Sequence, residues 1–253
     1  MKILGLDSSG LVASAAIVEN DCLLAEYTVN YKKTHSQTLL PMLGELKKMI
    51  ELDLDTIDAI AIAAGPGSFT GLRIGAATAK GLGLALGKPL VEVPTLEGLA
   101  YNLWGTDRLV CPLMDARRNQ VYTGIYDFEA ENGTGAEDAG AEGGSLQEVF
   151  RMKTILEQCA VDISEVLEKL NAISRPVIFL GDGVPVYAAK IKEQLRIPFY
   201  FAPAVNNRQR ASAVAALGAV YFAQGKTVTA AEHQPEYLRK SQAEREAEEK
   251  AGL

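Results

Sequence analysis

Few segments of the 253-residue sequence combine residue types and spacing that could bind a phosphate. Asp7 directly follows a short apolar run and precedes the turn Ser8-Ser9-Gly10. A glycine-rich segment, GPGSFTGLRIG, begins at Gly65, and a shorter one, Gly181-Asp182-Gly183, comes later in the chain. A glycine-rich turn that leads into a helix can hold a phosphate on free backbone N–H groups. A nucleotide site is therefore the first hypothesis to test against the motifs.

The segment that begins at Gly65 matches neither common phosphate-binding motif. A P-loop needs four residues between its first Gly and a Gly-Lys pair, whereas five residues separate Gly65 from Gly71 and Leu72 replaces the Lys. A dinucleotide fingerprint would need its third glycine where Thr70 stands. The start of the following helix could still attract an anion, so a weak anion site remains an alternative.

Small residues on the same helix suggest a packing surface instead. Residues spaced by four share one helix face, and here these are Gly71, Gly75, Ala79 and Gly83. Each Gly inside a helix costs about 0.8–1 kcal/mol relative to Ala, so we expect a close backbone contact that compensates. The contact could be the helix predicted over Thr34–Ile50, or part of it could lie on another chain. Arg73 and Lys80 lie off this face and could serve a partner or face water.

Histidine and cysteine usage gives little support to hydrolytic or metal chemistry. The two histidines are His35, at the start of a predicted helix, and His233. His35 lacks neighbouring ligands, which favours a role near a helix cap or at an interface. No G-x-S-x-G elbow is present. Cys22, Cys111 and Cys159 lack C-x-x-C spacing, which favours free thiols in a reducing compartment.

Composition indicates an ordinary soluble globular protein, with 48% hydrophobic and 23% charged residues. The formal net charge of −7 argues against a free-standing nucleic-acid binder, which normally carries a basic face. The apolar segment Ile74–Val93 is interrupted by Lys80, Lys88 and Pro89, so it does not predict a membrane span. We expect a cytoplasmic protein that does not bind a membrane.

Hydrophobic periodicity predicts the order β-β-β-α-β-α-β for the first hundred residues. The predicted strands are Lys2–Leu6, Val12–Glu19, Cys22–Asn30, Ile57–Ala63 and Lys88–Val93. The first helix spans Thr34–Ile50, with Thr34 and Gln37 as a capping box and an apolar face that includes Leu39 and Leu43. The second helix carries the small residues and ends near Gly87.

A second unit of strands and helices follows. Its predicted strands are Arg108–Met114, Gln120–Phe128, Pro176–Leu180 and Pro198–Phe201, and its helices are Ser164–Ile173 and Pro185–Leu195. An Ala-rich helix, Arg210–Gln224, could return to pack on the first unit. We therefore predict an N-terminal lobe over residues 1–104, completed by helix 210–225, and a C-terminal lobe over 105–209. We also predict a flexible acidic insertion at 129–144 and a charged tail at 226–253.

Several segments resemble those of the bacterial TsaB (YeaZ) family. These are LGLDSS at the start, HSQTLLPML at 35–43, the segment 63–100 with GPGSFTGLRIG, and MDARRNQVY at 114–122. GDG at 181–183 and PEYLR at 235–239 extend the resemblance thinly to the C-terminus. The resemblance implies an α/β fold of the actin-like ATPase superfamily, which includes sugar kinases and heat-shock chaperones, with two ribonuclease-H-like lobes.

The resemblance also implies a function in making threonylcarbamoyladenosine beside the anticodon of tRNA. TsaB proteins are similar to the catalytic subunit TsaD, form a heterodimer with it and work with the ATPase TsaE, while TsaC supplies the activated intermediate. The implied role is a non-catalytic partner subunit that meets tRNA indirectly and forms a homodimer when alone. It needs no cofactor or metal of its own, although ATP or ADP could bind at the junction with TsaD.

The resemblance assigns roles to single residues. TsaD carries a metal-binding H-x-x-x-H where this chain has Thr95 and Leu99, which cannot replace imidazole ligands. Asp7, Gly181 and Gly183 are candidates for a vestigial nucleotide site, in which Asp7 caps its own turn. The predicted partner-binding residues lie on the first two helices: His35, Leu39, Leu43, Gly71, Arg73, Gly75, Ala79, Lys80 and Gly83.

Three questions stay open at this point. An active small-metabolite kinase or nucleotide hydrolase, using Asp7 and the glycine loops with magnesium, is the alternative function. Asp115 and Arg117 could form a salt-bridged turn or contact TsaE, and the role of Arg118 is open. A metallopeptidase and direct tRNA recognition are weaker alternatives.

Overall fold

The computed structural model describes residues 1–31, 34–131 and 149–239. Within these ranges the strands are β1 (Lys2–Asp7), β2 (Ala13–Glu19), β3 (Cys22–Val29), β4 (Ala59–Gly65), β5 (Leu90–Pro94), β6 (Leu109–Asp115), β7 (Gln120–Glu131), β8 (Val149–Asp162), β9 (Val177–Leu180) and β10 (Phe199–Phe201). The α-helices are α1 (His35–Met49), α2 (Phe69–Leu86), α3 (Thr95–Ala100), α4 (Ile163–Ile173), α5 (Gly183–Gln194) and α6 (Ala211–Ala223).

The strands form two sheets with the same topology. The first sheet has the order β3-β2-β1-β4-β5, and the second, read in the same sense, has the order β8-β7-β6-β9-β10. In each sheet the first three strands form an antiparallel meander, and the last two run parallel to the first strand. This repeated order is that of two ribonuclease-H-like lobes, which the sequence predicted.

Apolar side chains cover both faces of the first sheet. One face packs against α1 and α2 through residues such as Leu39, Leu43 and Ile62. The other face packs against α6 through Val214 and Leu217. A sheet buried on both faces is expected to have nearly continuous apolar strands, and β4, AIAIAAG, is buried along its whole length. Although α6 follows the second sheet in the chain, it therefore belongs to the core of the first.

The start of α1 differs from the predicted capping box. The Thr34 side chain makes no capping hydrogen bond, and only its backbone carbonyl accepts from Gln37 N. His35 supplies a different anchor, because its Nε2 lies 2.9 Å from the carbonyl oxygen of Gly10. The capping-box prediction is therefore wrong.

Two elements lacked a prediction, and one predicted loop begins as a strand. The long strand β8 and the short helix α3 are both absent from the sequence-based assignment. Residues 129–131, placed in the acidic insertion, belong to β7. Residues 132–144 of that insertion, and residues 240–253 of the predicted tail, lie outside the described residues. Among the helices in the described ranges, none is both long enough and apolar enough to cross a membrane.

Candidate functional site

The buried carboxyl of Asp7 is held within its own turn. Asp7 is 2% exposed, and its Oδ1 accepts hydrogen bonds from the backbone N and the side-chain Oγ of Ser9 at 2.8 and 2.7 Å. Burial raises its pKa to about 6, which the hydrogen bonds from Ser9 only partly offset. Asp7 therefore caps its own turn, between β1 and β2, as predicted, and its origin in a nucleotide site stays a prediction.

The glycine-rich segment packs directly on this turn. Ser68 N donates to the carbonyl oxygen of Ser9 at 2.6 Å, and Ser8 Oγ donates to the carbonyl oxygen of Gly71 at 2.9 Å. A Cβ atom at Gly71 would lie 2.1 Å from the carbonyl oxygen of Ser8. Gly71 N is itself bonded to Ser68 Oγ at 3.3 Å. Two of the backbone N–H groups that could hold a phosphate at this helix start, those of Ser68 and Gly71, are thus already bonded within the chain.

The small face of α2 lies against the chain's own strands and turns. A Cβ at Gly75 would meet Ser8 Oγ at 2.5 Å and Ile62 Cδ1 at 3.2 Å, and one at Gly83 would meet Leu90 and Ala230. The expected close contact is therefore real, and at the glycines its partners are the β1–β2 turn, β4 and β5.

Six of the predicted partner-binding residues need correction for this reason. They are all buried inside the first lobe, where a partner cannot reach them: Leu39, Leu43, Gly71, Gly75, Ala79 and Gly83. Regular spacing correctly indicated one packed face on each helix. It did not indicate whether the residues packed on that face came from the same chain or from another.

The three remaining candidates on these helices have different surroundings. His35 is half-buried beside Gly10. Arg73 is exposed, with its guanidinium 4.2 Å from the ring centroid of Phe69. Lys80 Nζ donates to the carbonyl oxygens of Ala231 and His233, so it holds the C-terminal part of the chain. Of the predicted set, Arg73 is thus the exposed residue that a partner could contact.

Thr95 and Leu99, at the positions where the resemblance predicted the loss of two metal-binding histidines, have structural roles. Thr95 is fully buried, and its Oγ1 accepts a hydrogen bond from Gly65 N at 3.1 Å. Leu99 packs with Val110 and Met114 of the second lobe. Within the described ranges, no group of three or more His, Cys, Asp or Glu side chains is placed to hold a metal ion.

The turn between β6 and β7 is the second-lobe counterpart of the Asp7 turn. Asp115 Oδ2 lies 3.2 Å from Arg117 Nη1, and Asp115 Oδ1 accepts from Arg117 N at 2.9 Å. Arg117 and Arg118 both have positive φ angles, and both are exposed. The salt-bridged alternative for Asp115 and Arg117 is therefore present.

Backbone contacts fill the glycine turn after β9. Gly181 N donates to the carbonyl oxygen of Asn207, and a Cβ at Gly181 would lie 2.1 Å from the carbonyl oxygen of Leu113. A Cβ at Gly183 would lie 3.0 Å from the same oxygen. Asp182 Oδ1 accepts from Asp115 N at 3.4 Å, and burial raises the pKa of Asp182. The vestigial candidates Gly181 and Gly183 thus serve packing between β6 and β9.

The C-terminal strap, residues 228–239, is a part of the site that sequence reasoning missed. Val228 pairs with Leu90, Glu236 N donates to the carbonyl oxygen of Ala64 at 2.7 Å, and Arg239 Nη1 donates to the carbonyl oxygen of Ala116. The strap was predicted as part of a charged tail. The segment PEYLR, quoted for the family resemblance, was the signal that could have revealed it.

Replacing Thr95 by Val is expected to destabilise the chain by about 1–3 kcal/mol, because the buried N–H of Gly65 loses its acceptor. Thr95→Ser keeps the hydroxyl and should retain most of the stability. The free energy of unfolding in urea measures both. Equal losses in the two variants would show that the hydrogen bond is unimportant.

Comparison with known proteins defines first the class and then the family. The family model described as TsaD, tRNA N6-adenosine threonylcarbamoyltransferase, matches residues 22–247. The structure is similar to YeaZ from Pseudomonas aeruginosa, with a TM-score of 0.74, 25% identity and coverage of 94% of this chain and 99% of the other. The protein is thus a TsaD-like member of the actin-like ATPase superfamily, and the predicted fold class is confirmed.

Curated relatives give the family itself. The tRNA threonylcarbamoyladenosine biosynthesis protein TsaB of Bacillus subtilis is 32% identical over 247 residues, which cover 96% of each chain. The protein of the same name from Escherichia coli is 28% identical over 245 residues, covering 94% of this chain and 95% of its own. The chain belongs to the TsaB family, as its sequence motifs predicted.

Proposed function

We propose that this chain is a non-catalytic subunit of the machinery that makes threonylcarbamoyladenosine in tRNA, and that it binds a TsaD-type catalytic subunit and works with TsaE. The names of its relatives in Bacillus subtilis and Escherichia coli support the pathway. The observation that carries the non-catalytic role is the packing of Ser8 and Ser9 into the start of α2. The carbonyl oxygen of Ser9 and the hydroxyl of Ser68 take up two of the N–H groups at this helix start, those of Ser68 and Gly71.

The residues at the metal position support the same proposal. Thr95 uses its hydroxyl to bind Gly65 N, and Leu99 fills the apolar contact between the lobes. Neither side chain supplies the imidazole nitrogen that a transition-metal site of this kind requires. Any ATP or ADP that takes part then binds TsaD or the junction between the subunits.

The docking surface in this proposal is the outward face of α1 and α2, which replaces the buried residues predicted from sequence. Leu40 on α1 is 54% exposed, and Leu84 on α2 is 71% exposed. Between such apolar positions, exposed Gly44 and Gly81 have open space where a side chain would be, so another backbone can approach closely. Arg73 lies on the same outward face of α2. In the absence of TsaD, this apolar surface would pair with a second copy of the chain.

Mixing this chain with the TsaD of the same genome is expected to convert a homodimer into a one-to-one heterodimer. Gel filtration coupled to light scattering measures the masses of the separate and mixed proteins. The mixture is repeated with ATP and TsaE, because either could be required for assembly. Failure to form a complex under all of these conditions, together with tight Mg-ATP binding by the isolated chain, would instead support a kinase or nucleotide hydrolase.

A pair of matched variants locates the docking surface. Leu84→Asp places a charge on the outward face of α2 and should abolish the heterodimer. Val186→Asp is the control, since Val186 is 57% exposed on α5 of the other lobe. If the Leu84 variant binds TsaD as tightly as the Val186 variant does, the assignment of the surface is wrong.

A further inference from the structure

The C-terminal strap is anchored firmly to the first lobe. Val228 and Leu90 exchange backbone hydrogen bonds at 2.9 Å. The imidazole of His233 is 1% exposed, and its Nδ1 lies 2.6 Å from Glu92 Oε1. Glu236 N donates to the carbonyl oxygen of Ala64, at the end of β4. The strap thus follows the edge of the first sheet up to the point where β4 ends.

The last part of the strap crosses to the second lobe. Gln158 Nε2, on β8, donates to Glu236 Oε2 at 2.5 Å. Arg239 Nη1 donates to the carbonyl oxygen of Ala116, at the turn between β6 and β7. Both second-lobe contacts therefore come within three residues of the hydrogen bond that ties Glu236 to Ala64.

Where the strap crosses between the lobes, it packs on the glycine-rich segment that begins at Gly65. Gly65 has a φ of +129°, and a Cβ there would lie 2.1 Å from the carbonyl oxygen of Glu236. Four residues further on, the ring of Phe69 stacks on that of Tyr237 with centroids 4.3 Å apart, and the Arg73 guanidinium lies 4.2 Å from the Phe69 centroid. A side chain at position 65 would push the strap away. The segments GPGSF, MDARR and PEYLR, which are distant in sequence, meet at this one place.

The strap adds to contacts that already join the lobes. One is apolar, where Leu96 and Leu99 of α3 pack with Val110 of β6. Another is polar, because Asn102, just after α3, donates to the carbonyl oxygen of Arg208 at 2.7 Å. Lobes joined around one element are expected to rotate against each other. The additional contacts at Ala116 and Gln158 restrict that rotation. In two-lobed proteins that close around a ligand, the ligand supplies this restriction.

We propose that the strap is an intramolecular clamp that fixes the angle between the two lobes without a bound nucleotide. Arg239 and Glu236 make the hydrogen bonds to the second lobe, and Gly65 leaves the space that the backbone of the strap occupies. The hydrogen bond from Arg239 is made by a charged group, and such bonds are the stronger kind in proteins. Its loss is expected to shift the equilibrium between closed and open lobes by about tenfold or more toward the open form.

The test measures the distance between the lobes directly. Spin labels are placed at exposed Ser36 on α1 and exposed Val186 on α5, in a background where Cys22 and Cys159 are replaced by Ser. In Arg239→Ala and in Gln158→Ala, the distance distribution should broaden and move to a different mean. Lys153→Ala is the control, because Lys153 makes an exposed pair with Glu129 on the second sheet and does not contact the strap.

Amide hydrogen exchange of the same variants separates opening of the lobes from fraying of the strap. The clamp requires about tenfold faster exchange at Glu236 together with a changed lobe distance. Faster exchange in the strap with an unchanged distance overturns the proposal, because the strap would then be a docked segment that restricts nothing. An unchanged distance with unchanged exchange overturns it as well.

Discussion

Gly71→Ala is expected to lower the free energy of unfolding by about 2–4 kcal/mol. The new Cβ would lie 2.1 Å from the carbonyl oxygen of Ser8 and 3.3 Å from Ser68 Cβ. Ser8 cannot move away easily, because the neighbouring Asp7 and Ser9 are both buried and hydrogen-bonded to each other. Urea-induced unfolding followed by circular dichroism measures the change.

Gly81→Ala on the same helix is the matched control, and its expected effect has the opposite sign. Gly81 is exposed, and a Cβ there meets nothing within 4 Å. Alanine is the better helix former by about 0.8–1 kcal/mol, so this variant should be slightly more stable than the parent. If Gly71→Ala and Gly81→Ala lost similar stability, the contact with Ser8 would not be the cause of the loss in Gly71→Ala.

Asp7→Asn is expected to stabilise the chain at neutral pH by about 1–3 kcal/mol. Burial raises the pKa of Asp7 from 3.8 to about 6, so the ionised form that exists at pH 7 is disfavoured in the folded state. The amide removes the buried charge, and its oxygen can still accept from Ser9. Thermal or urea unfolding at pH 7 tests the sign.

The pH dependence of stability gives a second test of the same group. Between pH 3.8 and about 6 the folded state holds a proton on Asp7 that the unfolded state has released. The stability that Asp7 contributes is therefore fully present below this window and is lost as the pH rises through it. In Asp7→Asn that loss should disappear. Asp107→Asn, which removes an exposed carboxylate, controls for the change in net charge.

The order of strands and helices could be predicted because the apolar pattern of each one lies within a single short stretch of sequence. The alternation and length of apolar runs indicated β1, β2, β4, β6 and β9, which are buried along most or all of their length. The strand β8 was not predicted, because charged residues interrupt its apolar run and most of its described residues are only half-buried. A half-buried strand at the edge of a sheet lacks the continuous apolar run by which the buried strands were predicted.

The candidate site could be predicted only in part, since its contacts join residues far apart in the chain. The small face of α2 was evident from spacing, yet the spacing could not show that Ser8 lies against Gly71. Glu236 contacts Ala64 and Arg239 contacts Ala116 across more than a hundred residues, and no local propensity reports such pairs. The raised pKa of Asp7 likewise depends on burial that only the folded chain reveals.

The position of α6 has a consequence for how the chain folds during synthesis. Residues 211–223 cover one face of the first sheet, so that face remains bare until the ribosome has made more than two hundred residues. The second sheet is built from the continuous segment between Leu109 and Phe201 and has no such delay. Proteins usually complete their N-terminal unit first as they emerge. We therefore expect the lobe translated second to reach its native core first, while the N-terminal lobe lacks the helix that covers one apolar face of its sheet.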